Sequence, residues 1–224
     1  MDYKEKRSKL VEQLTKRNIL TKPSVIKAML TVPRHNFLPK GAIESAYIDS
    51  PLSIGMGQTI SAPHMNAMMC ELLELTEGDR VLEIGTGSGY HAALCAELVA
   101  PKHSKNPGHV YTIERHQELA KEAEESLNNT GYGDAVTVIR GDGTLGYPEK
   151  APYDKILVTA SSPKKVPPPL KEQLKDKGIL CIPAGSKEWG QVLYIVSKTG
   201  SKFESKKITG VRFVPLIGEW GFPE

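Results

Sequence analysis

Arg80-Val81-Leu82-Glu83-Ile84-Gly85-Thr86-Gly87-Ser88-Gly89-Tyr90-His91-Ala92-Ala93-Leu94-Cys95-Ala96-Glu97-Leu98 is an apolar run, a glycine turn and a helix-like segment in direct succession. Glycine belongs where the chain reverses with positive φ and where a ligand approaches the backbone without Cβ atoms in the way. The stretch therefore reads as the first strand of an α/β sheet with the floor of a nucleotide-type pocket at its carboxyl end. A dinucleotide fingerprint continues G-x-G-x-x-G, but Tyr90 stands where its last glycine belongs and a glycine occupies position 89 instead. Glu83, two places before the loop, also has no part in that fingerprint. The spacing argues against NAD and leaves another nucleoside ligand or a structural glycine turn.

The rest of the chain bounds the reading. Its 224 residues suffice for one large α/β core, alone or with a small appendage. Hydrophobic content of 39% and charged content of 25% are those of a soluble globular protein. The net charge of +3 is small and the basic residues mix with acidic ones. The short clusters Lys164-Lys165 and Lys206-Lys207 lack interleaved aromatics, so no nucleic-acid partner is expected. Three scattered cysteines, Cys70, Cys95 and Cys181, lie in apolar runs and read as buried hydrophobes in a reducing compartment. No C-x-x-C or H-E-x-x-H spacing occurs, and no metal is expected. The amino terminus has no apolar h-region and no run approaches a membrane span, so the expectation is a cytoplasmic protein with no membrane partner.

Along the chain, Leu10, Val11, Leu14, Ile19 and Leu20 keep a helical period, and Ser24 to Leu30 supplies a second short helix. Pro33 and Pro39 bracket a connector, and the Gly-, Ser- and Pro-rich stretch Asp49 to Gln58 reads as a loop. A helix starting near Ser61 runs to about Leu73. Strands are then expected at 80–84, 109–113, 135–140, 154–159, 178–182 and 191–197, with helices at 89–99, 116–129 and 168–176. Such alternation implies parallel strands joined by crossover helices.

In such a sheet ligands collect beyond the carboxyl ends of the strands. Glu114 follows the second strand, placed either to accept from ribose hydroxyls or to sit as a carboxylate at a helix N-terminus. Asp142, between Gly141 and Gly143, either forms a local turn or accepts from an adenine amine. Together with the glycine loop they favour a bound adenosine. Ser61 is either an N-cap or a hydroxyl beside free helix N–H groups that receives a carboxylate. His64, taken alone, reads as an ordinary helix histidine.

The E-x-G-x-G-x-G spacing is similar to the nucleotide loop of S-adenosylmethionine (AdoMet) methyltransferases. Pro33 to Pro39, Thr59-Ile60-Ser61-Ala62-Pro63-His64, Val81 to Tyr90, Gly141-Asp142-Gly143, Ala151 to Asp154 and Val211 to Leu216 extend the likeness across nearly the whole chain, which resembles the protein-L-isoaspartate O-methyltransferase family. The resemblance implies one AdoMet-dependent domain over 1–224: a helical cap and substrate loop at 1–60, and a Rossmann-like α/β core at 61–224 with helices on both faces and a C-terminal substrate strand. It implies Ser61 as the active-site residue. It places Gln58, Thr59, Ile60, Ser61, His64, Glu83, Gly85, Thr86, Gly87, Ser88, Gly89, Glu114, Gly141, Asp142 and Gly143 along the cofactor. Ile54, Thr59, Ser61, Val211, Phe213, Val214, Pro215 and Leu216 are placed along the substrate. Asn66 departs from members with a second histidine there. The implied activity is methyl transfer from AdoMet, leaving S-adenosyl-L-homocysteine, to the free α-carboxylate of isoaspartyl residues in damaged proteins, by a monomer. The alternatives are an AdoMet methyltransferase acting on RNA or a small molecule, and a non-catalytic nucleotide-binding module.

Overall fold

The structure, a computed structural model, describes residues 2–163, 166–186 and 190–223; the Lys164-Lys165 pair lies outside them. Its centre is a seven-stranded sheet of order β5-β4-β3-β6-β7-β8-β9. Here β3 is Arg80–Ile84, β4 His109–Glu114, β5 Val136–Arg140, β6 Tyr153–Val158, β7 Leu174–Ser186, β8 Gly190–Thr199 and β9 Lys202–Val211. A separate antiparallel hairpin pairs β1 (Leu52–Gly55) with β2 (Gln58–Ile60). The strands β3 to β7 are parallel, and β8 and β9 close the sheet as antiparallel hairpins.

Strand β3 lies between β4 and β6, and all its residues but Arg80 are buried. That accounts for its nearly unbroken apolar sequence, since an interior parallel strand meets protein on both faces. Its alternation divides the core. Val81 packs in the cluster that holds Leu14 of α1 (Tyr3–Lys16), Met29 of α2 (Pro23–Thr31), Met69 of α3 (Pro63–Leu73), Leu94 of α4 (Tyr90–Val99) and Leu127 of α5 (Gln117–Asn129). Leu82 and Ile84 join the opposite cluster with Tyr153, Leu170, Leu180 and Leu216. Helix α4 is buried on every side except at Glu97, whereas α5 buries only Leu119, Ala120, Ala123 and Leu127 and turns its charged residues outward.

Several expectations change. The helix expected at 168–176 is the short α6, Pro168–Glu172, because Leu174 already pairs with Tyr153 and opens β7. The second face of the sheet is thus covered by the helix α6, two 3-10 turns at Gly143–Leu145 and Pro148–Lys150, and the C-terminal segment. The all-parallel expectation fails at β7 to β9, where hairpins replace crossover helices. Strand β9 escapes the sequence reading because it is an edge strand with exposed Lys202, Glu204, Ser205, Lys206 and Lys207, charges of the kind that keep sheet edges from pairing further. The C-terminal strand expected at Val211 to Leu216 ends at Val211; beyond it the chain runs extended and is held by Gln191 and Ser161. The loop expected at 49–58 contains β1 and a turn with positive φ at Gly55, Met56 and Gly57. Helix α3 starts at Pro63 behind an Ala62 cap, so Ser61 is not its N-cap.

The nucleoside-type loop is set by Gly85, whose φ of 95° places its α-carbon against the Thr159 side chain. A Cβ there meets the Thr159 hydroxyl at clashing range. Gly85→Ala is expected to lose about 1–3 kcal/mol, the range for backbone strain of this kind. Gly41→Ala, with open space around its Cβ and no positive φ, is expected to be neutral or to gain up to about 1 kcal/mol. Urea denaturation of both variants checks the contrast.

Candidate active site

Two clefts meet at the carboxyl ends of β3, β4 and β6. The first is lined by Gln58 and Thr59 of the hairpin, Gly85 and Gly87, Ile113 to Arg115, Gly143, Thr159, and Val214 to Ile217. It continues toward a space of about 500 Å³ between Arg115, Arg140, Gly141, Asp142 and Gly218. Glu114 ends β4 and is buried; its Oε2 accepts from Gly87 N–H at 2.9 Å and its Oε1 from His116 N–H at 3.0 Å. A carboxylate has about four acceptor positions, so the two bonds fix its orientation and leave capacity for a pair of ligand hydroxyls. The glycine loop and Glu114 thus present bare α-carbons and a carboxylate on one concave surface, which suits the ribose of an adenosine.

Asp142 is less free than its sequence position suggests. Its Oδ1 accepts from the Thr144 N–H at 2.8 Å and the Thr144 hydroxyl at 2.7 Å, and its Oδ2 from Glu219 N–H at 2.8 Å. The local-turn reading is realised, and the carboxylate also ties down the C-terminal segment.

The second cleft, enclosing about 620 Å³, lies between Pro51, Thr59, Ser61, His64 and Met65 on one side and Gly190, Gln191 and Gly210 to Val214 on the other. It shares Thr59, Thr159 and Val214 with the first cleft, so the two adjoin there. Asp49 holds His64 twice, accepting from its backbone N–H at 2.9 Å and meeting its Nδ1 at 2.8 Å, while Arg17 donates to the other Asp49 oxygen at 2.7 Å. Burial pushes the Asp49 carboxyl up, but the bonds from His64 and Arg17 outweigh it and hold the group below its ordinary value. His64, so held, lines the cleft.

Ser61 is positioned from behind. The fully buried Arg34 donates from Nη2 to Ser61 O at 2.8 Å, from Nη1 to Asn66 Oδ1 at 3.2 Å and from Nε to Ala46 O at 2.9 Å, and its guanidinium stacks 4.9 Å from the Tyr90 ring centre. Burial lowers its pKa to about 10, so it remains charged at neutral pH.

The expected site residues separate into groups. Gln58, Thr59, Gly85, Gly87, Glu114 and Gly143 line the first cleft, Gly141 and Asp142 its extension, and Ile60, Ser61, Thr86 and Ser88 a small space between the clefts. His64, assigned to the cofactor, faces the second cleft, whereas Pro215 and Leu216, assigned to the substrate, face the first. Val211, Phe213 and Val214 line the second cleft. Ile54 is buried beside Gly87, and Gly89 packs on Ala123 and Leu127; both shape the loop from beneath. Glu83 is completely buried under the loop, accepting from Thr112 at 2.6 Å, and Thr112 in turn meets Thr86 at 2.7 Å. Because Thr112 spends its one proton on Glu83, Thr86 is the donor in that second bond. Burial raises the Glu83 carboxyl to about 7.

Four residues escaped the sequence reading. Thr159 donates to Gly85 O at 2.7 Å and borders both clefts; it lies just past β6, where the strand-end rule already pointed. Arg212 brings an exposed cation to the second cleft, and its place inside the quoted Val211 to Leu216 block was the available signal. Gln191 brackets Phe213, donating to its carbonyl at 3.1 Å and accepting from its N–H at 2.6 Å. Arg34 lay in the Pro33 to Pro39 connector. Nothing in the sequence marked Gln191 or the burial of Arg34.

Asp49→Asn removes a carboxylate whose folded-state pKa lies below its ordinary 3.8. Such a group contributes stability above the unfolded pKa and loses it as pH falls through the folded one. The variant is therefore expected to be less stable than wild type at pH 7, and the difference to shrink as pH falls below 3.8, as read by urea denaturation across that range.

The chain is similar to known proteins over nearly its whole length. The family profile "Protein-L-isoaspartate(D-aspartate) O-methyltransferase (PCMT)" matches residues 5–221. A Protein-L-isoaspartate O-methyltransferase of Hyperthermus butylicus is 52% identical over 99% of this chain and 92% of its own length. Protein-L-isoaspartate O-methyltransferase 2 of Archaeoglobus fulgidus is 53% identical over 99% and 97%. Among solved structures, a protein-L-isoaspartate O-methyltransferase superposes with a TM-score of 0.86 at 31% identity, over 96% of this chain and 67% of that one. A Plasmodium falciparum chain described as a beta-aspartate methyltransferase, in complex with S-adenosyl-L-homocysteine, gives 0.83 at 29% identity over 94% and 98%. The chain belongs to the protein-L-isoaspartate(D-aspartate) O-methyltransferase family.

Proposed function

We propose that the protein methylates the free α-carboxylate of isoaspartyl residues in damaged proteins and peptides, with AdoMet as donor, as the first step of their return to aspartate. The observation that carries this reading is the meeting of the two clefts at Thr59, Thr159 and Val214, with Ser61 beside the junction. Bound AdoMet supplies an electrophilic methyl on a cationic sulfur, and the acceptor carboxylate gains the O–CH3 bond as the S–CH3 bond breaks to a neutral thioether.

The residues position and shield rather than trade protons. A carboxylate with an ordinary pKa near 4 is already ionised at neutral pH, so no general base is required. Glu114 and the glycine loop hold the nucleoside, and Ser61 donates its hydroxyl to the acceptor carboxylate. Arg212 lines the second cleft with a cation that favours an anion there. Arg34, acting through the Ser61 carbonyl, fixes where that hydroxyl starts. The clefts keep water off the reacting pair, which preserves the attraction between carboxylate and sulfonium. Gly190, Gly210 and the 211–214 segment offer backbone groups to an extended peptide, a mode that tolerates many sequences. After transfer the neighbouring amide nitrogen displaces methanol to give a succinimide, whose hydrolysis yields some normal aspartate.

We place the reaction in one unit over 1–224, acting as a cytoplasmic monomer. No described helix is long and apolar enough to cross a membrane.

Two peptides of equal composition, one with isoaspartate and one with aspartate, test the function. Only the first is expected to take label from AdoMet, at a rate nearly constant between about pH 6 and 8 because no group needs to titrate. Equal labelling of both, or labelling of RNA in their place, would overturn the reading. Ser61→Ala is expected to lower turnover more than AdoMet affinity. Glu114→Ala is expected to weaken AdoMet binding by about 1–3 kcal/mol in calorimetric titration.

A further inference from the structure

Beneath the glycine loop, outside both clefts, two helices bring three soft ligand groups together. His91 and Cys95 stand four residues apart on α4, hence on one face of it, and Cys70 reaches them from α3. All three are buried, and His91 Nε2, Cys70 Sγ and Cys95 Sγ lie within 4.8 Å of one another, with Cys70 Sγ 3.5 Å from His91 Nε2. The spacing C-x20-H-x3-C matches no common metal motif, so the sequence reading found none.

We propose that Cys70, His91 and Cys95 bind a single thiophilic cation of the zinc class, which staples α3 to α4 directly under the nucleoside loop. The ligand chemistry fits, since thiolate and imidazole select this class over calcium or magnesium. In a tetrahedron with Zn–S bonds of about 2.3 Å and Zn–N bonds of about 2.0 Å, ligand atoms sit roughly 3.5–3.8 Å apart. The present separations close to that by side-chain movements of about 1 Å.

A second observation points the same way. Among the described residues only three buried side-chain polar atoms lack a partner, and two of them, Glu83 Oε1 and His91 Nδ1, belong to neighbours of this cluster. The Glu83 carboxylate interacts electrostatically with His91, Cys70 and Cys95. A ligating histidine commonly donates its other ring N–H to a carboxylate. With Nε2 on the cation, Nδ1–H is the ring donor left for a carboxylate, and Glu83 Oε1 is the unpartnered buried acceptor of this neighbourhood. An oxygen ligand completes the coordination. Charge also balances: two thiolates and one carboxylate face a divalent cation and the buried Arg34 guanidinium, which lies close enough to influence His91.

The test uses the full-length protein, stripped with a chelator, reduced, and titrated with Co2+ and then Zn2+. The expected result is one equivalent of cobalt giving intense tetrahedral d–d bands and a thiolate charge-transfer band, both abolished by equimolar zinc. X-ray absorption on the wild-type zinc protein is expected to show two sulfur neighbours at about 2.3 Å and two lighter ones. This measurement needs no variant to fold. Cys95→Ala, checked for folding by circular dichroism, is expected to halve the thiolate band and weaken cobalt binding more than about tenfold, while Cys181→Ala leaves both unchanged. Absence of binding, a sulfur-free coordination sphere, or an equal effect of Cys181→Ala would each overturn the proposal.

Discussion

A buried positive charge organises the acceptor half of this molecule. Arg34 is sealed from solvent, and an uncompensated guanidinium in such a place costs several kcal/mol or more. Its donors are therefore committed to Ala46 O, Ser61 O and Asn66 Oδ1, and its face to Tyr90. Those partners come from the N-terminal layer, the hairpin exit, α3 and α4. One side chain thus fixes the distance between the segment that precedes Ser61 and the helix that follows the glycine loop. Asn66 accepts from the guanidinium, so this position serves the network here without a histidine.

The donor half is built on a different constraint, close backbone contact. Thr159 bonds to Ile84 O and Gly85 O, and Gly85 has no Cβ to prevent that approach. Beneath the loop, the chain Thr86–Thr112–Glu83 anchors its second residue to the floor of the sheet. The halves join because Thr59 and Val214 approach the same junction from opposite ends of the chain, the first from the hairpin and the second from the extended segment that Gln191 and Ser161 hold. Methyl transfer needs alignment along one line, and the parts that set that line are hydrogen-bonded backbone rather than long flexible side chains.

Much of this was legible beforehand for identifiable reasons. Strands β3 and β6 were readable because burial on both faces forces short continuous apolar runs, and α5 because its Leu119, Ala123 and Leu127 keep a helical period. Gly85, Gly87 and Glu114 stood out because positive φ and strand-end position restrict residue type. Strand β9 did not stand out, since an exposed edge carries no burial pattern to read. Nor did the brevity of α6: its proline-led start resembles any helix start, and only the pairing of Leu174 with Tyr153 ends it.

The sequence by itself determined the parallel strands of the central sheet and the helices α4 and α5 between them, the type of loop at its first strand end and, through the blocks from Thr59 to His64 and Val211 to Leu216, the family to which the chain belongs. These are local properties, written in turn chemistry and periodicity. Only the tertiary structure decided which groups meet across long separations. It set Arg34 against Ser61, Asp49 against His64, Gln191 against Phe213, and Cys70 against His91 and Cys95. Each pairing depends on how helices and strands dock, and a polar or sulfur side chain carries no periodic mark of the partner it will find once both are buried.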